Sequence, residues 1–239
     1  MSKLFRNEDW SGAVMRDMNL SNVKIVGALM TNASFSGEIG GLTINEIEVA
    51  PLIARELERR YPERKRLFAA DPRGLKEAFD IVFGKLDETW ARARTFTEDQ
   101  RNQRVDEEWS LVETIRHLIF AVDAWIGRAV LGREDPFDPI ALPPTFLPAT
   151  APGMSCDPEA KPSFEEALEV WKRREAEIRE IVSALTPEEL ERPIVTKGDG
   201  YPPPGHETQV IGPLWIVIEE SWWHNHFMNR DLDLIEAAS

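Results

Sequence analysis

Glu220 and His224 stand four residues apart in the run IEESWWHNHFMNRDLDLIE (218–236), where apolar residues recur with a helical period. At that separation two helical side chains share a face and can converge on one point. On a helical wheel Val217, Glu220, His224, Met228, Asp231 and Ile235 fall within a stripe roughly 80° wide, so the polar members face the core. Burying a carboxylate and an imidazole there is costly unless they are paired or ligate a cation. His226 projects roughly opposite the stripe and reads as a surface residue. The other helical histidine, His117, borders the stripe of Ile115, Leu118, Val122 and Trp125, with Ala121 and Ala124 leaving room beside its ring. Glu113, one turn earlier, could hydrogen-bond that ring or ligate in its place. His117, Glu220 and His224 would form an N/N/O set from two facing helices, suited to Zn, Ni, Fe or Mn with positions open for water and substrate. Spacing alone leaves a second reading open, because helical histidines are often core or hydrogen-bonded residues. Trp125, Trp222 and Trp223 read as packing residues, with a substrate entrance as the alternative.

The rest of the composition narrows the partners. The 239 residues are 42% apolar and 29% charged, with eight tryptophans and a net charge of −14. That is a folded, acidic chain, and with no Lys/Arg-rich face it repels phosphate backbones and anionic lipid. A small-molecule substrate is expected, with neither nucleic acid nor membrane as partner. The strongest apolar run, Leu214 to Ile218, is far short of a membrane span, and the opening MSKLFRNEDW lacks the apolar stretch of a secretory signal, so a cytoplasmic location is expected. The single cysteine, Cys156, cannot form an internal disulfide and reads as an ordinary loop thiol.

The elements that must position the site follow from periodicity. Residues 1–50 carry a five-residue repeat: Met15, Leu20, Ile25, Met30 and Phe35 in one register, Ala13, Met18, Val23, Ala28 and Ala33 in another. This resembles the pentapeptide-repeat family and implies a short right-handed β-helix of some two coils with both registers inside. Residues 51–70 read as a charged linker helix interrupted at Pro62. Residues 71–239 read as a mainly α domain of four long helices: Asp71-Pro72 to about Ala93, Ser110 to about Leu131, Ser163 with its Ser-x-x-Glu capping box to near Thr186, and Gly212 to Ala237. A Pro-rich crossover, DPFDPIALPPTFLPATAP (135–152), separates the middle pair. Together these predict a four-helix bundle.

The run EWSLVETIRHLIFAVDAW (108–125) resembles the second-helix signature of DinB-like proteins, a superfamily of metal-dependent enzymes that includes thiol-dependent transferases and isomerases. The run 218–236 is similar to that superfamily's last-helix signature, with an acid or histidine four residues before a histidine and an Arg-Asp-Leu ending. Such proteins usually hold the metal with three histidines, one on the second helix and two on the last. His117 and His224 match two of those positions, and Glu220 stands at the third, as in one acidic branch. The resemblance implies a DinB-like four-helix bundle holding a divalent metal ion. It also implies transfer of a low-molecular-weight thiol, such as mycothiol or bacillithiol, to an electrophilic small molecule. The alternative is a noncatalytic metal-binding or protein-interaction module, with a homodimer formed through helix faces.

Overall fold

A computed structural model describes residues 4–16, 18–148 and 151–238. Outside them lie the first three residues of the opening stretch, Asp17 in the repeat, two residues of the Pro-rich crossover and the last residue. The chain divides into two compact units, residues 1–40 and 41–239.

In the first unit the five-residue period is visible as corners. Asn7, Gly12, Asn22, Gly27, Asn32 and Gly37 all have φ between 54° and 131°, the left-handed region that glycine enters freely and asparagine tolerates. Backbone bonds from Ala13 to Trp10, Val23 to Leu20 and Ala33 to Met30 close turns ten residues apart. No closed β-helix is seen among the described residues. No strand occurs before Thr43 there, and the register meant for its interior is exposed, from 45% at Leu20 and Met30 to 58% at Ile25. A solenoid coil buries its inward side chains against the coils above and below, and this segment has too few coils to do so.

The second unit opens with a small hairpin, β1 (Thr43–Ile44) against β2 (Ile47–Glu48). Helix α1 (Ala50–Arg60) and a 3-10 turn (Pro62–Arg66) follow, broken at Pro62 as the missing N–H requires. The four long helices come next: α2 (Pro72–Ala93), α4 (Leu111–Val122), α5 (Phe164–Ala184) and α7 (Ile211–Ala237); α3 (Glu98–Arg101) and α6 (Pro187–Glu191) are single turns between them. Three of the four long helices start at a side-chain cap. The Asp71 carboxylate accepts from the Gly74 N–H with Pro72 in the first turn, and Ser110 and Ser163 form reciprocal capping boxes with Glu113 and Glu166. Ser163→Ala should lower unfolding stability by about 1 kcal/mol; chemical denaturation showing no change would mean that α5 does not depend on that cap.

Side-chain pairs fix the helix directions. Thr89 meets Asn225 and Arg92 meets Asp233, so α2 and α7 run parallel. Asp123 meets Arg174 and Arg133 meets Glu177, so α4 and α5 run parallel. Arg94 with Glu165 and Asp80 with Arg179 make α2 and α5 antiparallel; Glu108 with Arg230 and His117 with Glu220 do the same for α4 and α7. The order is up, down, down, up, and the long crossover between α4 and α5 is what two consecutive parallel helices demand. Trp90, Trp171, Phe79, Phe83 and Phe120 fill the centre, each with 1% or less of its surface exposed.

Two local features matter for the site. After Val122 the helix widens into a π-helical stretch, Asp123–Val130, ending in a bond from the Leu131 N–H to the Ile126 carbonyl. The inserted residue changes which faces the following side chains present. Strands β3 (Pro193–Val195) and β4 (Glu207–Gln209) pair antiparallel and carry the loop 196–206 between α6 and α7. The charged linker is no free tether: Tyr61 packs edge-on against Trp222, Arg64 lies 4.3 Å over the Trp222 ring, and the Trp215 indole donates to the Ala69 carbonyl.

Candidate metal centre

The antiparallel contact of α4 with α7 brings His117, Glu220 and His224 together. One donor atom from each residue lies within 4.8 Å of the others. His117 is buried, and Glu220 and His224 are partly exposed, so the cluster lies at the edge of the core with one side open.

The His117 ring is positioned from both ends. Its Nδ1 stands 3.2 Å from the Leu142 carbonyl in the crossover, and its Nε2 is 3.5 Å from Oε2 of Glu220. A carbonyl only accepts, so Nδ1 carries the proton. Burial holds the imidazole below its ordinary pKa, and the neighbouring His224 adds to that, against the opposing pull of Glu220. With Nδ1 given to that carbonyl, Nε2 is the nitrogen turned toward the Glu220 carboxylate: protonated, it donates a hydrogen bond there, and in the neutral ring its lone pair faces the carboxylate. Two electron-rich atoms then face each other, an arrangement that a proton or a metal cation between them relieves.

For the Glu220 carboxyl, burial works toward the neutral form, but hydrogen bonds with His117 and His224 outweigh it and hold the group well below the usual carboxylate range. Its Oε2 is 3.2 Å from Nδ1 of His224, and that same nitrogen lies 2.9 Å from the Glu220 backbone carbonyl one turn back. The donor set is thus an ionised carboxylate and two imidazoles, compatible with a divalent ion.

Several neighbours were not legible beforehand. The Trp109 ring packs 4.4 Å from that of His117 and 6.3 Å from that of His224, covering one side of the cluster from the segment before α4. The Leu142 carbonyl belongs to backbone in the crossover and has no residue-type signature. Glu113 is not beside His117: its carboxylate accepts from the Ser110 N–H at 2.9 Å and from Arg104, so the capping box has claimed it. Asp231, on the same stripe as Glu220, pairs with Arg230 instead of joining the cluster. His226 stays out of the cluster as its direction on the helix requires, yet it is half-buried against Tyr61 and stacks on Trp222 at 6.0 Å. The packed linker segment covers a face that the helix alone would leave open.

A four-helix bundle that brings two histidines and a carboxylate together from facing helices is, as a class, a helical-bundle protein with a candidate metal centre. The DinB superfamily model matches residues 85–228, more than half of the 239 residues, and the chain belongs to that superfamily. The match runs from within α2 to within α7 and includes all three residues of the cluster. No curated protein matches the chain, and no solved structure does.

Proposed function

We propose that this chain is a metal-dependent enzyme in which His117, Glu220 and His224 hold one divalent ion, Zn, Ni, Fe or Mn, and that it transfers a low-molecular-weight thiol to an electrophilic small molecule. The observation that carries the metal reading is the convergence of one donor atom each from His117, Glu220 and His224 within 4.8 Å, with His117 Nε2 aimed at the Glu220 carboxylate and the ring held in that orientation by the Leu142 carbonyl. Anchoring of the far ring nitrogen by a backbone carbonyl is what fixes the tautomer and direction of a ligating histidine. Membership of the superfamily supports the same reading.

When bound, the ion lowers the pKa of a coordinated thiol or water and so supplies a nucleophile at neutral pH. The chain's own residues do the rest. His117 and Glu220 offer donors already oriented and, for Glu220, already ionised. Trp109 shields the His117 ring from water on one side, and the partial exposure of Glu220 and His224 leaves the other side for substrate to enter. In this reading the chain comprises a 1–50 segment, a 51–70 linker and a 71–239 bundle, with the linker forming part of the bundle's wall through Tyr61 and Arg64. No described helix is long and apolar enough to cross a membrane.

Metal analysis of untagged protein tests the first half. About one ion per chain after loading with Zn, Ni, Mn or Fe is expected, and less than about 0.1 per chain for every ion would sink the reading. A panel of low-molecular-weight thiols with a generic electrophile tests the second half. Conjugation that requires both thiol and metal supports transfer, whereas a metal-loaded protein silent across the panel leaves a noncatalytic metal-binding module. Glu220→His should keep the metal, since it supplies the nitrogen donor usual at that position in similar proteins, while Glu220→Leu should lose it. Equal metal content in the two variants would remove Glu220 from the ligand set.

A further inference from the structure

The loop 196–206 is held with unusual rigidity. Arg128, 3% exposed and on the π-helical stretch, donates to the carbonyls of Lys197 (2.8 Å), Gly198 (2.6 Å) and Pro202 (3.2 Å), and also to Glu134. Among the described residues no carboxylate lies within ion-pair distance of it, and Asp199 and Asp135 favour its charge from further away. A buried guanidinium satisfied only by carbonyls is expensive, and three of its four acceptors flank the segment Asp199–Tyr201. The loop is tied again by the Thr196 hydroxyl, which donates to the Pro203 carbonyl and accepts from the His206 N–H. Gly153, at φ +73°, packs so closely on Asp199 that an added Cβ would lie 2.2 Å from the Asp199 carbonyl oxygen.

What this scaffold holds is a tyrosine within reach of the charge on Glu220. The Tyr201 ring stacks on Phe120 at 6.2 Å, and Phe120 in turn stacks on His117 at 6.3 Å. Trp125 and Phe146 meet Tyr201 edge-on at 5.7 and 6.0 Å, so three rings fix its plane. Its hydroxyl makes no hydrogen bond among the described residues, and the side chain is only half-buried. Burial, with the negative charge of Glu220, pushes the phenol above its ordinary pKa, so at neutral pH it keeps its proton.

We propose that Tyr201 is a substrate-positioning residue of the metal centre, its phenol donating a hydrogen bond to the carbonyl or anionic oxygen of a ligand seated on the open side, with the Arg128 clamp holding it there. This rests on the metal reading above. The test uses the cobalt-loaded full chain, whose visible absorption reports ligand binding, titrated with acetohydroxamate, a small ligand that offers oxygen acceptors. Tyr201→Phe should bind the hydroxamate about 5-fold more weakly, the worth of one net hydrogen bond, with cobalt affinity and Tm unchanged. Tyr201→Ala should lose at least as much. Hydroxamate affinity in Tyr201→Phe equal to wild type overturns the inference, and a loss confined to Tyr201→Ala assigns the residue to ring packing alone. Failure of the unaltered chain to bind cobalt instead removes the metal reading itself, and this inference with it.

Discussion

His117→Ala should weaken zinc binding by on the order of 10²-fold or more, measured by competition against a chromophoric chelator, because it removes one of only three protein donors; loss of an outer partner alone costs about 10–100-fold. His224→Ala should act alike, since its ring offers the second nitrogen of the set. The control that separates ligation from general damage is Glu113→Gln. Glu113 lies one turn before His117 but is spent on the Ser110 cap and the Arg104 pair, so its loss should cost about 1 kcal/mol of stability and leave zinc affinity within a factor of two. A parallel fall in zinc affinity for His117→Ala and Glu113→Gln would place the metal elsewhere. So would unchanged affinity in His117→Ala.

That contrast also marks where reading residues in order stops being informative. Three of the four long helices were legible because each carries its own start signal and an apolar stripe of helical period, and α7, which has no side-chain cap, was legible from its period alone; both are local properties. His117, Glu220 and His224 were legible because two lie at i, i+4 and the third lies on the facing stripe. Glu113 was misplaced because a Ser-x-x-Glu start and a ligand one turn from a histidine use the same residue type, and only coordinates show which partner it has. Leu142 contributes a main-chain carbonyl from 25 residues away, Trp109 reaches the cluster from irregular backbone, and Tyr201 reaches Phe120 from the loop 196–206. No periodicity predicts such approaches. The five-residue repeat was real as a backbone rhythm, with a left-handed residue at the corners, but rhythm does not specify burial. A solenoid core needs neighbouring coils, and their number is a property of length.

Asp123→Ala should cost about 3–5 kcal/mol in unfolding stability, the range for removing one partner of a buried ion pair. Asp123 is 2% exposed; one carboxylate oxygen lies 2.5 Å from Nε of Arg174 and the other accepts from the Asp138 N–H at 2.8 Å. The side chain therefore joins the π-helical stretch, α5 and the start of the crossover that carries Leu142. Its removal leaves Arg174 with only the longer Asp138 pair at 3.7 Å and strands a backbone N–H. The two partners respond to this environment in opposite senses: burial pushes the Asp123 carboxyl up to about 6 despite Arg174, whereas Arg174 sits above its ordinary value because Asp123 outweighs its own burial. Both are charged at pH 7 on either account, so the difference shows only in acid. A carboxyl whose folded pKa exceeds its unfolded value of 3.8 favours folding most when protonated, and that contribution fades as pH rises toward 6. The stability gap between wild type and Asp123→Asn should therefore widen by roughly 1–1.5 kcal/mol from pH 7 to pH 5. A gap that stays constant over the same interval would mean that Arg174 holds the carboxylate ionised down to its unfolded pKa, with pairing stronger than burial at this junction.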